Sequence, residues 1–500
     1  MGGVAAAIAA AERGAHVVLT EKTDWVGGQL TSQAVPPDEH PWIEDFGCTA
    51  RYRRLRDGIR EHYRTRFPLT AAARGRPDLN PGAARVSRLS HEPKAALAVL
   101  EGMLGGVEIL LGHSPTEAHT DGDRVTAVHF GDRVIEAEWV IDATETGELL
   151  PLAGVEHVTG TESQAETGEP HAPPLADPLN MQPVSACFAL DHLDGEDHTI
   201  ARPAGYETFR DARPEGWPEG QLSWSAPDPR SNRPVRRTLH PNPPGDPALI
   251  GPDLADPALD RDLWLFRRIA ARLNFDPAPP SDITLVNWPQ MDYLGGPVFG
   301  TPDAAHHAAA ARRLSLSLLH WMQTEGGFPG LRLRGDVVGG TPDGLAKALY
   351  IRESRRIRGE HTIAEQEIAF AVRGSHGAVE HPDGVGIGAY RIDLHPSTGG
   401  DPYIDIACCP FQIPLGALIP VRVENLLAGA KNIATTHITN GAYRLHPVEW
   451  NIGEAAGHLA AYCGERKTVP RAVRRDPDEF RRELEQAGVE LRWPPGVAAY

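Results

Sequence analysis

The first 21 residues constrain this chain more than any other stretch. Residues 4–13 are alanine-rich and favour a helix, Gly14 stands where a C-terminal cap belongs, and HVVLTE (16–21) reads as a buried strand ending in an acid. Helix, glycine turn and strand in that order make half of a βαβ unit. A dinucleotide site adds glycines at the strand-to-helix turn, so that backbone N–H groups and the helix N-terminus approach a pyrophosphate. It also needs an acid about 20 residues on for the ribose hydroxyls. Gly2 and Gly3 stand at the turn and Glu21 at the acid position if Gly3 closes the glycine motif. The same residues also suit an ordinary βαβ unit.

Size and charge narrow the classes. Five hundred residues suggest two or more domains, and 51 glycines with 45 prolines fit a loop-rich α/β protein better than a helical bundle. A formal net charge of -18 argues against nucleic acid or an anionic membrane as partner, since both would be repelled. Cys48, Cys187, Cys408, Cys409 and Cys463 are few and without CxxC spacing, so neither a disulfide framework nor a thiolate metal site is expected, and a reducing cytoplasm fits best. No apolar run is long enough to span a bilayer.

Further along, residues 49–67 place Tyr52, Leu55, Ile59 and Tyr63 at helical spacing among seven arginines. A solvated basic face is the default reading and contact with an ADP phosphate the second. The next 25 residues read as a loop. Pro93 suits the first turn of a helix to about Leu104, and VEILLG (107–112) reads as a strand. RVTAVHFGDRVIEAEWVIDAT alternates around Gly131-Asp132, which predicts a hairpin whose second strand ends at Ala143. Residues 160–260 are poorest in regular structure, with a domain crossing near 160. Helices are expected over 305–324 and 339–358, a strand over 386–395, and a last clear helix from Pro447.

Several stretches together resemble a known family. EKTDWVGGQLTSQAVPPDEHPWIEDFG (21–47), VIDATETGELLPLAG (140–154), ESQAETGEPHAP (162–173), LVNWPQMDY (285–293), YIRESRRIRG (350–359) and NLLAGAKNIATTHITNGAYRLHPVEWNIGEAAG (425–457) are similar to the FAD-dependent oxidoreductases with a glutathione-reductase-like nucleotide domain. The resemblance implies FAD, a substrate domain inserted into the nucleotide domain, and hydride removal from a small organic substrate. Relative to that family, a leading hydrophobic strand and the first glycines would precede Met1, so the 500-residue chain is expected to hold FAD poorly.

The matching stretches carry the candidate site. Gly2, Gly3, Glu21, Lys22, Gly27, Gly28 and Gln29 are assigned to the cofactor, as are Ala143, Thr144 and Gly147 of the ATETG turn and Asn440 and Gly441, which are expected to form a tight turn. The resemblance implies that the final helix points at the flavin pyrimidine edge, where charge gathers when hydride reaches N5. Its N-terminal dipole would stabilise that charge. His446 as a base and Arg444 as an anion clamp, with His40 near the flavin-side loop, are the catalytic candidates. Arg352, Arg355, Arg356 and Arg358 read mostly as a solvated basic face paired with Glu353 and Glu360, with one or two reaching the site. Cys408-Cys409 reads as buried and apolar rather than redox-active. GVGIGAY (384–390) runs straight into a strand, so no separate NAD(P)H domain is evident, and dioxygen, a quinone or a protein carrier stays open as electron acceptor.

The expected architecture is α/β: a Rossmann-like FAD-binding domain, discontinuous over 1–50, 90–160 and 420–465, with an inserted α+β substrate domain over 161–419 and a C-terminal extension over 466–500. The expected function is that of an FAD-dependent oxidoreductase, a dehydrogenase or oxidase of a small polar substrate. A non-catalytic remnant without FAD is the alternative, and an RNA-modifying flavoprotein is disfavoured by charge.

Overall fold

Small side chains let two helices approach until their backbones meet. In the computed structural model, which describes residues 1–250 and 261–500, α1 (Gly2–Glu12) leads into strand β1 (Val18–Glu21). Gly14, at φ +89°, turns the chain between them. Helix α2 (Ala50–Arg66) starts at Thr49, whose side chain accepts from the Tyr52 N–H, and α3 (Pro93–Met103) starts on its proline. Strand β2 (Glu108–Leu111) lies parallel to β1. The loop expected between α2 and α3 also contains a short helix, Ala71–Arg74.

Of the seven arginines of α2, Arg54 and Arg66 are exposed, but three turn inward rather than join a solvated face. Arg51, Arg56 and Arg60 are buried, Arg51 against Glu12 and Glu454, Arg56 against Glu39 and Glu44, and Arg60 against Glu44. These acids come from distant or loop positions, so helical spacing gave no sign of them.

The hairpin also differs from expectation. Strands β3 (Glu117–Asp121), β4 (Arg124–Phe130) and β5 (Arg133–Glu136) form an antiparallel sheet, and the chain then leaves it for β6 (Val140–Asp142). Asn425 makes the separation. Its amide donates to the Val125 and Glu138 carbonyls at 2.8 and 2.9 Å and accepts from the Val125 N–H at 2.8 Å.

A four-stranded antiparallel sheet follows, built from β7 (Phe188–His192), β8 (Arg268–Ala270), β9 (Ile283–Val286) and β10 (Leu331–Leu333) in the order β8-β9-β7-β10. Helix α4 (Ala304–Gln323) buries Leu314, Leu318 and Trp321 in the core of this half. Of the stretch read as poor in regular structure, residues 251–260 lie outside the described residues. The helix expected over 339–358 is absent. Gly339, Gly340 and Gly344 have positive φ, and Tyr350 exchanges backbone hydrogen bonds with Ser185, which fixes the segment as extended chain.

The strand expected over 386–395 is two, β11 (Gly384–Gly388) and β12 (Ile392–Leu394). They pair with different partners, β12 with β13 (Ile404–Ile406) and β11 with β14 (Phe411–Pro414). Strand β15 (Leu426–Ala428) then lies parallel to β6, with Leu426 opposite Val140. Asn440 and Gly441 form no turn: they sit inside α5 (His437–Tyr443), which Thr436 caps by accepting from the Thr439 N–H. Helix α6 (His446–Arg466) is buried over most of its length against α1. A Cβ on Gly453 would stand 2.0 Å from the Gly2 carbonyl oxygen, and one on Gly457 2.2 Å from that of Ala6. Two short helices, Pro470–Arg475 and Asp478–Gln486, follow. Cys408 and Cys409 are buried and unbonded, and no helix among the described residues is long and apolar enough to cross a membrane.

Candidate functional site

The two parallel pairs, β1–β2 and β6–β15, stand apart, and a cleft of about 1350 Å³ runs between them. Its floor is the alanine face of α1, one wall is the run from Val17 to Lys22, and the other includes Ile141 and Ala143–Thr146. The volume exceeds the about 300–1,000 Å³ of common small-molecule sites, which leaves room for an extended dinucleotide.

Seven of the assigned cofactor residues line this one cleft: Gly3, Glu21, Lys22, Gly27, Gly28, Ala143 and Thr144. Gly3 has only 3.2 Å between its absent Cβ and the Ala143 side chain, so the helix start and the ATETG turn close on each other. Gly28 has φ +54°, and a Cβ there would meet Glu145 Oε1 at 2.6 Å. Burial raises the pKa of Glu21 against the hydrogen bonds from Thr23, whose N–H and hydroxyl both donate to Oε1 at 2.8 and 2.9 Å. The second carboxylate oxygen carries neither bond and suits a ribose hydroxyl. Thr144 turns its hydroxyl back to Asp142 at 2.7 Å, so this turn offers the cleft its backbone. Asp142 itself is fully buried, which pushes its pKa up to about 6 despite the Thr144 donors. These residues fit an FAD: glycines for close approach, a helix N-terminus for the pyrophosphate, and an acid at the far strand end.

The remaining cofactor candidates lie elsewhere. Gly2 packs on the Gly429 carbonyl, Gly147 packs on Arg355, and Gly441 lies against the Asp393 backbone. Asn440 accepts from Gln182 at 3.3 Å. Gln29 connects the glycine turn to α6, donating to the Arg444 carbonyl at 3.1 Å and to Glu449 at 3.2 Å. Lys431, buried nearby, is paired with Glu145 and with Glu449 at 3.2 Å; burial alone would lower its pKa, but the two carboxylates raise it.

At the N-terminus of α6 a second group of charges collects. The Asp38 N–H donates to His446 Nδ1 at 3.1 Å, which puts the proton of a neutral ring on Nε2. Burial drives the His446 pKa down to about 3, against the pull of the Asp38 carboxylate. Arg267 holds that carboxylate with two hydrogen bonds, 2.8 and 3.1 Å. Arg444 donates to Asp393 at 3.0 and 3.1 Å and acts electrostatically on the buried phenols of Tyr350 and Tyr390. The buried atoms His446 Nε2, Arg444 Nε and Arg267 Nε have no full hydrogen bond among the described residues; the Val35 carbonyl, which favours a protonated His446, falls short of one.

His446 and Arg444 were visible in the sequence; Asp38, Arg267, Tyr350 and Tyr390 were not singled out. Asp38 lies two residues from His40 in a matching stretch, which is the one signal that could have pointed to it. His40 itself sits in an aromatic group, its Nε2 3.0 Å from the Gly47 carbonyl and its ring 5.3 Å from Trp493, and burial lowers its pKa to about 4.

The arginine run is not the solvated helical face expected, because the segment is extended. Arg352 is buried against Asp292 at 2.9 Å, Arg356 pairs with Glu353 and, at 2.8 Å, with Glu162, and Arg355 donates to the Thr146 carbonyl at 2.8 Å. Arg358 is exposed, and Glu360 pairs instead with Arg471 and Arg474.

The model of the FAD dependent oxidoreductase family matches residues 1–484. The chain belongs to this family, whose members are FAD-dependent. No curated protein matches it. Among solved structures it is similar to the Diels-Alderase PyrE3 of pyrroindomycin biosynthesis, at 15% identity over 40% of this chain and 38% of that one, with a TM-score of 0.20. A second similarity is to BexE, described for oxidation during BE-7585A biosynthesis, at 20% identity over 48% and 44% of the two chains, with a TM-score of 0.21. The chain thus spans less than half of either, and likenesses this slight carry no argument about its activity.

Proposed function

We propose that this FAD-dependent oxidoreductase removes a hydride from a carbon of a small polar organic substrate, and that its nucleotide part is Rossmann-like and of the glutathione-reductase type. FAD, when bound, supplies the two-electron acceptor at N5. The observation that carries the reading is the group of buried polar atoms at the N-terminus of α6: Arg444 Nε and Arg267 Nε, which no protein group satisfies among the described residues, and His446 Nε2, which the Val35 carbonyl satisfies only in part. Such atoms cost about 1–3 kcal/mol each if left unsatisfied, so a polar ligand is the natural partner. Arg444 would orient an anionic or polar substrate group. Negative charge held there would raise the proton affinity of His446, which burial alone depresses. Because Nδ1 is taken by the Asp38 N–H, the neutral ring offers Nε2–H to the substrate, and His446 would assist removal of the substrate proton as the other tautomer, with the proton on Nδ1 and the Asp38 contact released.

The test mixes FAD-loaded protein anaerobically with a panel of hydroxy acids, amines and polyols and follows bleaching of the visible flavin band. His446→Ala should keep the flavin spectrum and slow reduction by about 10²–10⁴-fold. Arg444→Ala should mainly raise the substrate concentration required. Variants that lose flavin yet reduce at the normal rate once saturated with FAD would assign both residues to the cofactor. A loaded protein that no panel member reduces would contradict a small polar substrate.

A further inference from the structure

In the C-terminal half, two imidazoles converge on one carboxylate oxygen. Glu367 lies in the short helix Glu365–Ile368 and accepts the Ala364 N–H at Oε1, 3.0 Å away, which fixes the carboxylate. Its other oxygen, Oε2, is 2.9 Å from His361 Nε2 and 3.4 Å from His381 Nε2. The three donor atoms all lie within 4.8 Å of one another, and the two rings stand edge to face with centroids 5.0 Å apart. No motif spacing announces this trio; the fold brings it together, the short helix supplying one side and the loop before β11 the other.

The spacing suits a cation. Bonds of about 2.0–2.2 Å to a tetrahedral zinc separate its donors by roughly 3.3 Å, so the trio needs only a small outward adjustment to admit one. The side chains are 29%, 15% and 8% exposed for His361, Glu367 and His381, buried enough to hold their geometry and open enough for a fourth, water position. Arg474, whose charge acts on His381, is compensated by Asp383 at 2.9 Å and Glu360 at 3.0 Å. Two imidazoles and a carboxylate select a borderline cation of the zinc class over magnesium or calcium.

We propose that His361, Glu367 and His381 bind one divalent transition cation, Zn²⁺ or a metal of its class. Bound there, the ion ties the start of the short helix to the loop before β11. A second trio, Glu117, His119 and His129 on β3 and β4, provides an internal comparison. Its donors also lie within 4.8 Å, but Glu117 and His119 are exposed.

The experiment titrates Zn²⁺ calorimetrically into the full, tag-free, chelator-treated chain, and Co²⁺ in parallel for its visible absorption. All five cysteines are buried, so thiols of the folded protein do not compete. One Zn²⁺ per chain is expected, with tetrahedral-type Co²⁺ absorption and a zinc-dependent rise in the thermal midpoint. His361→Ala and His381→Ala should each weaken uptake at least tenfold and abolish the thermal rise, while the paired change His119→Ala and His129→Ala leaves both in place. Circular dichroism identifies variants that fail to fold, for which His361→Gln and His381→Gln serve in their stead. Absence of saturable zinc uptake by the wild-type chain would overturn the proposal. So would uptake that survives loss of His361 and His381 but not of His119 and His129.

Discussion

The half around the cleft and the four-stranded half are packed by opposite means. Around the cleft, α1 and α6 meet through glycine, and neither Gly453 nor Gly457 has room for a methyl group. In the other half, β7–β10 and α4 close over large side chains, with Trp264, Trp288 and Phe188 fully buried. Backbone contact brings N–H groups and a helix N-terminus to the cleft edge, where a phosphate-bearing ligand can use them, but it leaves the parallel pairs separated by open space. Aromatic packing gives a closed core with little to offer a ligand. The first half is therefore expected to depend on its ligand and to tolerate little change, and the second to absorb change as an ordinary core does.

The largest break in this contrast should come from Gly453→Val. Its Cβ would stand against a backbone carbonyl that no rotamer change can move. A loss beyond about 5 kcal/mol is expected, and with it flavin retention. Gly102→Ala, in open space inside α3, should instead raise stability in a thermal melt by up to about 1 kcal/mol.

Acid should come next and should strike the half around the cleft first. His40 and His91, with pKa values lowered to about 4, and His446 and His458, lowered to about 3, all owe the shift chiefly to burial. His446 and His458 lie on α6 itself, His40 precedes α2 and His91 precedes α3. The unfolded chain takes up protons that the folded one refuses, so stability is intact above about pH 6.5 and lost as the pH falls towards 4. Each histidine contributes up to about 1.4 kcal/mol per pH unit. Hydrogen exchange at pH 5 should show protection lost in α1 and α6 before β7–β10; simultaneous loss would erase the distinction.

Trp264→Ala should cost about 3–5 kcal/mol in the melt, as a core cavity does, because the indole is fully buried and donates to Asp282 at 3.2 Å. The FAD affinity of the folded fraction should stay unchanged. If affinity falls in proportion to stability, the two halves are not separable.

Legibility followed the same divide. Helices α3, α4 and α6 were readable because periodic apolar faces coincide with a first-turn proline or a long uninterrupted run. Asn440-Gly441 reads as a turn by local preference, but the Thr436 cap and packing of the whole α5 helix in the core outweigh it. The segment after Gly339 has helical spacing, yet its backbone donors are claimed by Cys187, Ser32 and Ser185, which no local pattern encodes. At the cleft, the glycines and Glu21 are offered by the sequence because they stand at the intervals that a nucleotide-binding βαβ unit would use. Asp38, Arg267, Tyr350 and Tyr390 converge from separate segments and keep no interval at all.

Glu21 gives the smallest predicted effect and the most direct test of where the dinucleotide lies. In a fluorescence titration of the stripped protein with FAD, Glu21→Ala should weaken binding by about 10–100-fold, the equivalent of one charge-assisted hydrogen bond of about 1.5–3 kcal/mol, and cost the apo protein no more than the two hydrogen bonds from Thr23, about 1–3 kcal/mol. An unchanged dissociation constant would mean that the ribose is held elsewhere, and that the cleft between β1 and β6 is not the adenosine site.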